Sequence, residues 1–262
     1  MSSWRLRMKT LIKYDLFYLK RTAKFIIFPA LAFILAVISP LTAKYMNQIL
    51  EFALGSEDLP LSFPEPTVMD SYTQYLGNLY EMFILVVIFV SVGIFVRDKT
   101  KVLIPLILTK PISRMKYLLS KYITFNLLLF VSLIVGYLVF SYYTFVLFGE
   151  VDMVGMFYGT LLYMLYVLFI TSIALFASAV FDTYILAMFF TFGGYIVVNI
   201  FNIFKATLFQ YFPGRIINAI TEILVGTIET SDIIFYILVP TIFIAGFLVT
   251  GIKLFLSYDF KA

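Results

Sequence analysis

Six apolar stretches, each about as long as a lipid bilayer core is thick, leave this chain few ways to fold. A helix rises about 1.5 Å per residue, so about 20 apolar residues cross a hydrocarbon core of about 30 Å. The stretches run over residues 25–42, 75–96, 123–148, 156–180, 184–204 and 233–252. In lipid every backbone polar group needs an internal partner, which makes each stretch a helix. The first contains Pro29 and Pro40, which a membrane helix accommodates as kinks. Composition agrees, with 62% hydrophobic and 13% charged residues, against about half and a quarter in a soluble domain. The sequence predicts an all-α polytopic membrane protein, with residues 1–262 as a single transmembrane domain.

Basic residues orient the spans, because cytoplasmic segments hold the excess of lysine and arginine. Residues 1–24 carry Arg5, Arg7, Lys9, Lys13, Lys20, Arg21 and Lys24 against Asp15 alone. Residues 97–122, between the second and third stretches, carry Arg97, Lys99, Lys101, Lys110, Arg114, Lys116 and Lys121 against Asp98. Lys253 and Lys261 follow the last span, whereas residues 43–74 offer Glu51, Glu57, Asp58, Glu65 and Asp70 against Lys44, and residues 149–155 offer Glu150 and Asp152. Both termini are therefore expected in the cytoplasm, and the even number of spans, which puts them on one side, agrees. The net charge of +4 reflects this topology rather than nucleic-acid binding. No cleavable signal pattern precedes the first span, which begins after Arg21 and Lys24.

Residues 1–24 read as an interfacial helix. At 100° per residue Trp4, Met8, Leu11, Ile12, Leu16 and Leu19 share a face opposite Lys9, Lys13, Lys20 and Lys24. Asp15 interrupts the apolar face; it either sits at a helix edge in water or partners a basic residue on a neighbouring element. Residues 205–232 are long for a membrane connection and mostly apolar, with a turn at Pro213-Gly214. They read as re-entrant or interfacial helices on the outer face.

Much chemistry is excluded. The chain has no cysteine and no histidine, so it has no disulfide, thiolate or imidazole ligand, nor histidine acid/base catalysis. No phosphate-binding loop occurs, and no intramembrane protease arrangement can be assembled. Catalytic, cofactor and metal-binding residues are accordingly expected to be absent. The spans are nearly free of charge, which disfavours an ion-coupled carrier. Glu81, near Asn78, is the exception: it either reaches headgroups or lines a cavity or subunit contact. Asn126, Ser132, Ser172, Ser178, Asn199 and Asn202 are expected mostly to bond between helices, with Asn199 and Asn202 also candidates for a pathway or a subunit contact. Gly155-Met-Phe-Tyr-Gly159 matches a small-residue pairing motif at a span end, and Gly193-Gly194 permits close packing.

The layout resembles the membrane subunit of ABC-2 type ABC transporters. The shared features are an amphipathic leading helix, six spans, a basic apolar-centred loop after the second, and a long segment before the sixth. The most specific stretch is ILTKPISRMKYLLSKY from Ile107 to Tyr122, and the closing FLSYDF from Phe255 to Phe260 resembles the family's aromatic-acidic tail. Residues 97–102 keep an acid at Asp98 but lack the glycine that family members carry nearby.

The resemblance implies a permease that pairs with a second permease copy or a paralogue. The pair would be driven by a cytoplasmic ABC ATPase that binds ATP-Mg, this chain holding no cofactor. Docking would fall on Lys101, Val102, Leu103, Ile104, Leu106, Ile107, Lys110 and Arg114, an apolar knob with a basic rim. It also implies export; the aromatic, uncharged spans suit a drug, a peptide or another amphipathic or lipid-like cargo. The alternatives are a non-transporting scaffold or immunity protein and a secondary carrier.

Overall fold

The structure, a computed structural model, describes residues 2–54, 64–100, 113–203 and 210–257. Its order is α1 (Ser2–Lys20), α2 (Lys24–Leu54), α3 (Val68–Asn78), a π-helical turn (Leu79–Phe83), α4 (Ile84–Thr100), α5 (Arg114–Phe148), α6 (Met153–Val180), α7 (Tyr184–Ile203), a 3-10 turn (Pro213–Arg215), α8 (Ile216–Val225) and α9 (Thr230–Ser257). Among the described residues there are helices and no strands. Six helical segments are long and apolar enough to cross a membrane: Lys24–Phe52, Val68–Val96, Arg114–Phe148, Met153–Val180, Tyr184–Phe201 and Ser231–Ser257.

Each predicted span is present, and most are longer than hydropathy alone predicts; polar caps start three of them outside the apolar run. Thr67 and Asp70 form a reciprocal capping box before α3, the Thr67 N–H donating to Asp70 Oδ2 at 2.8 Å. The Ser113 hydroxyl accepts from the Lys116 N–H and starts α5 nine residues ahead of the apolar stretch. Asp152 caps α6 by accepting from the Gly155 N–H at 2.9 Å. Gly149 closes α5 at φ +82°, a left-handed position that favours glycine.

The bundle is built around α6, whose apolar window is 78% buried, against 17% for α7 and 11% for α9. Helices α4, α5, α7, α8 and α9 all pack on it, and α2 packs along α5 and α3. Aromatic side chains fill the centre: Phe28 meets Phe83 and Phe125 edge-on, and Tyr75 stacks on Phe140 at 4.2 Å. Helix α2 runs through Pro29 and Pro40 without a break. Beside Pro40 the Ser39 hydroxyl donates to Leu35 O and accepts from Asn78 Nδ2, a bond that ties α2 to α3.

Helix α1 covers most of residues 1–24, and its buried face is Leu11, Asp15 and Leu19, packed on α5, while Leu16 is 37% exposed. The Trp4 side chain lies outside the described residues. Among its described residues the segment before α9 carries one regular α-helix, α8, which lies against α6; residues 204–209 lie outside the description. So do the acids Glu57 and Asp58 and, in the closing motif, Tyr258, Asp259 and Phe260; Phe255 is buried.

Candidate functional site

Two regions at opposite ends of the bundle collect the polar and charged groups that a membrane helix rarely carries.

At the α1 end, α4 and α5 bracket the predicted docking loop. Lys101, Val102, Leu103, Ile104, Leu106, Ile107 and Lys110 lie outside the described residues; Arg114, half-buried, opens α5. Helix α1 is tied to the first turns of α5. The Ser120 hydroxyl donates to Asp15 Oδ2 at 2.5 Å, and both side chains are buried. Burial pushes the Asp15 carboxyl above its ordinary value, opposed by the Ser120 hydrogen bond and the positive charge of Lys121. Asp15 thus has its partners on a neighbouring element, a hydroxyl in contact and a lysine through its field. Arg21 and Lys121 lie over aromatic rings, Phe17 at 4.5 Å and Tyr117 at 4.8 Å.

At the α8 end the central feature is the π-helical turn. The Ile84 N–H reaches Leu79 O, five residues back, so one extra residue is wound into the second span. Tyrosines from two helices hold this turn. Tyr163 of α6 donates to Leu79 O at 2.6 Å, and Tyr195 of α7 donates to Tyr80 O at 3.1 Å. Tyr80 stacks on Tyr166 at 4.9 Å and donates to Gly214 O at 3.0 Å, tying the turn to the segment that carries α8.

Asn78, just before the turn, points to α2 and bonds Ser39 at 2.9 Å. Glu81, within it, faces the other way and is exposed; its carboxylate makes no hydrogen bond or ion pair with a described residue. Counting about 20 residues from Val96 sets the far edge of a hydrocarbon core beside Leu76, with Glu81 about 7.5 Å inside it. The cleft between α3 and α8 beside Glu81 has a volume of about 290 Å³ and is also lined by Thr73, Gly77, Tyr80, Ile217 and Thr221.

The other predicted polar residues turn inward along their own helices. Ser132, Ser172 and Ser178 donate to carbonyls three or four residues back, and Asn199 Nδ2 donates to Tyr195 O. Only Asn126 among those described bonds across helices, accepting from Thr171 Oγ1 at 3.1 Å. The expectation of mostly interhelical bonds is therefore corrected: short hydroxyl arms reach their own preceding turn first. Asn202 lies on α7, its side chain outside the described residues. Tyrosine supplies further cross-helix polar ties: besides those at the π turn, Tyr122 donates to Leu168 O and Tyr137 to Met153 O. The only sequence signal for this is the count of 19 tyrosines in apolar surroundings.

Among the described residues no cluster of three acids, histidines or cysteines could hold a metal ion. Gly155 and Gly159 receive α8: a Cβ on Gly159 would stand 2.7 Å from Ile220 Cγ2, so the motif packs within the chain. Gly194 lies close to Ile173, whereas Gly193 borders open space.

A family model described as "ABC-2 family transporter protein" matches residues 30–253. An uncharacterized transmembrane protein, YxlG of Bacillus subtilis (strain 168), is 25% identical over 162 residues. That match covers 62% of this chain and 63% of the relative, less than two thirds of its length.

Proposed function

The chain belongs to the ABC-2 transporter family, and on that footing we propose that it is a permease subunit powered by a separate cytoplasmic ATPase. The single observation that carries this is the family match from residue 30 to residue 253, which takes in nearly all of the six-span bundle. Two permease copies, or this chain and a paralogue, form the membrane pathway, and the partner ATPase binds ATP-Mg. The α1 end faces the cytoplasm, as its surplus of lysine and arginine favours. The transport direction is outward, and the cargo is a drug, a peptide or a lipid-like amphipath.

In this function Val102, Leu103, Ile104, Leu106 and Ile107 insert into a groove on the ATPase. Lys101, Lys110 and Arg114 guide the approach electrostatically. Helices α4 and α5 leave the docking loop on either side and carry its displacement into the bundle. Helix α1 follows α5, because the buried Asp15–Ser120 hydrogen bond fastens the two.

Substitution in the loop tests this. Leu103→Asp combined with Ile107→Asp places two charges in the apolar knob. The variant is expected to insert into the membrane normally and to lose the co-purifying ATPase. Undiminished co-purification would remove the docking assignment.

A further inference from the structure

We propose that the cleft between α3 and α8 binds an organic cation with an apolar body, its ammonium group held at the Glu81 carboxylate. An ionisable side chain at this depth is costly in lipid, so such residues face a partner or a water-filled cavity. Glu81 has no described partner and opens into a cleft of about 290 Å³. Tyr80, Leu76 and Ile217 give the cleft apolar walls, and Thr73 and Thr221 give it hydroxyls. Gly77 forms an open wall, since a Cβ there would meet nothing within 4 Å.

Thr221 also borders a second cleft of about 300 Å³, in which Asn218 and Glu222 lie. The two make a continuous surface with a carboxylate in each part and no basic residue among those lining them. That charge pattern rejects anions. A bare metal ion would find too few ligands, as no described group of three acids is present. An alkyl- or arylammonium needs one counter-charge and apolar walls, which is what the cleft supplies. As a cargo site this rests on the transport function proposed above; as a binding site it stands without it.

The probe is phenyltrimethylammonium, with benzenesulfonate as its anionic counterpart. Titration calorimetry is run on the chain in dodecyl maltoside micelles, which contain no ammonium group. Saturable binding of the cation and none of the anion is expected. Glu81→Gln is expected to weaken binding at least tenfold. Gly77→Leu, which keeps the carboxylate and fills the cleft, is expected to abolish binding.

Circular dichroism and thermal melts check that both variants fold; if Glu81→Gln does not, Gly77→Leu alone decides. Competition by a phosphocholine amphiphile would name a lipid headgroup as the occupant, and its absence a soluble cation; either keeps the cation assignment. No saturable binding to the unmodified chain would overturn it, as would equal binding of benzenesulfonate or full affinity in folded Gly77→Leu. Disulfide pairing of two Thr73→Cys copies without cation binding would reassign the surface to self-association. Cation binding by a chain that recruits no ATPase would retain the site and remove the transport function, so the two can fail separately.

Discussion

Replacing Tyr163 by Phe removes one atom from the centre of the bundle and tests whether tyrosine hydroxyls hold the π-helical turn. The hydroxyl donates to Leu79 O at 2.6 Å, and Tyr163 is 1% exposed, so no water can take its place from outside. Leu79 O keeps its bond from the Ile84 N–H, so the substitution leaves no bare carbonyl. Phenylalanine has nearly the same volume, so no large cavity opens. What remains is the net value of one buried hydrogen bond, about 1 kcal/mol, or about fivefold in the folding equilibrium.

Reversible unfolding in mixed micelles, titrated with dodecyl sulfate, reads this directly. Tyr137→Phe is the control: its hydroxyl bonds Met153 O at the exposed start of α6, and its loss is expected to cost less than about 0.5 kcal/mol. Tyr195→Phe loosens the same turn at Tyr80 O. The double variant Tyr163→Phe/Tyr195→Phe is therefore expected to deviate from additivity by more than about 0.5 kcal/mol. A Tyr163→Phe protein as stable as the original, with the pair additive, would refute the clamp.

Two further outcomes follow from the buried groups. Burial raises the Asp15 carboxyl pKa, so its contribution to α1 docking is fully present below the ordinary carboxylate value of about 3.9 and is lost as pH rises through the raised value. Amide-exchange protection over residues 8–20, corrected for intrinsic rates, is therefore expected to fall with rising pH, and to be flatter in Asp15→Asn; identical profiles would contradict this. Gly159→Leu forces a side chain into Ile220 and is expected to cost about 1–3 kcal/mol and to lift α8 from α6. Because the chain has no cysteine, a single Asn218→Cys reports this as faster maleimide labelling, and unchanged labelling would show that α8 is held elsewhere.

Hydropathy located all six spans because length and apolarity are local properties of a segment. It misplaced their ends where polar caps start the helix first, although Thr67-Val68-Met69-Asp70 is a readable capping box. Asp15 shows a deeper limit. A helical wheel places a charge in an apolar face and cannot tell an edge position from one whose partner, Ser120, lies 105 residues away. The π turn has no pattern in residues 79–83 that marks an extra residue, and its stability resides in hydroxyls from α6 and α7. Glu81 was legible as the charge out of place in a span, but its cleft required α8, which packs there from 136 or more positions along the chain.

The most direct test of the transport function is purification of the chain from its native cells in mild detergent, with identification of what accompanies it. The expected result is a stoichiometric soluble subunit that carries a phosphate-binding loop and hydrolyses ATP in the complex. Recovery of the chain alone, under conditions that keep another membrane complex from the same cells intact, would contradict it.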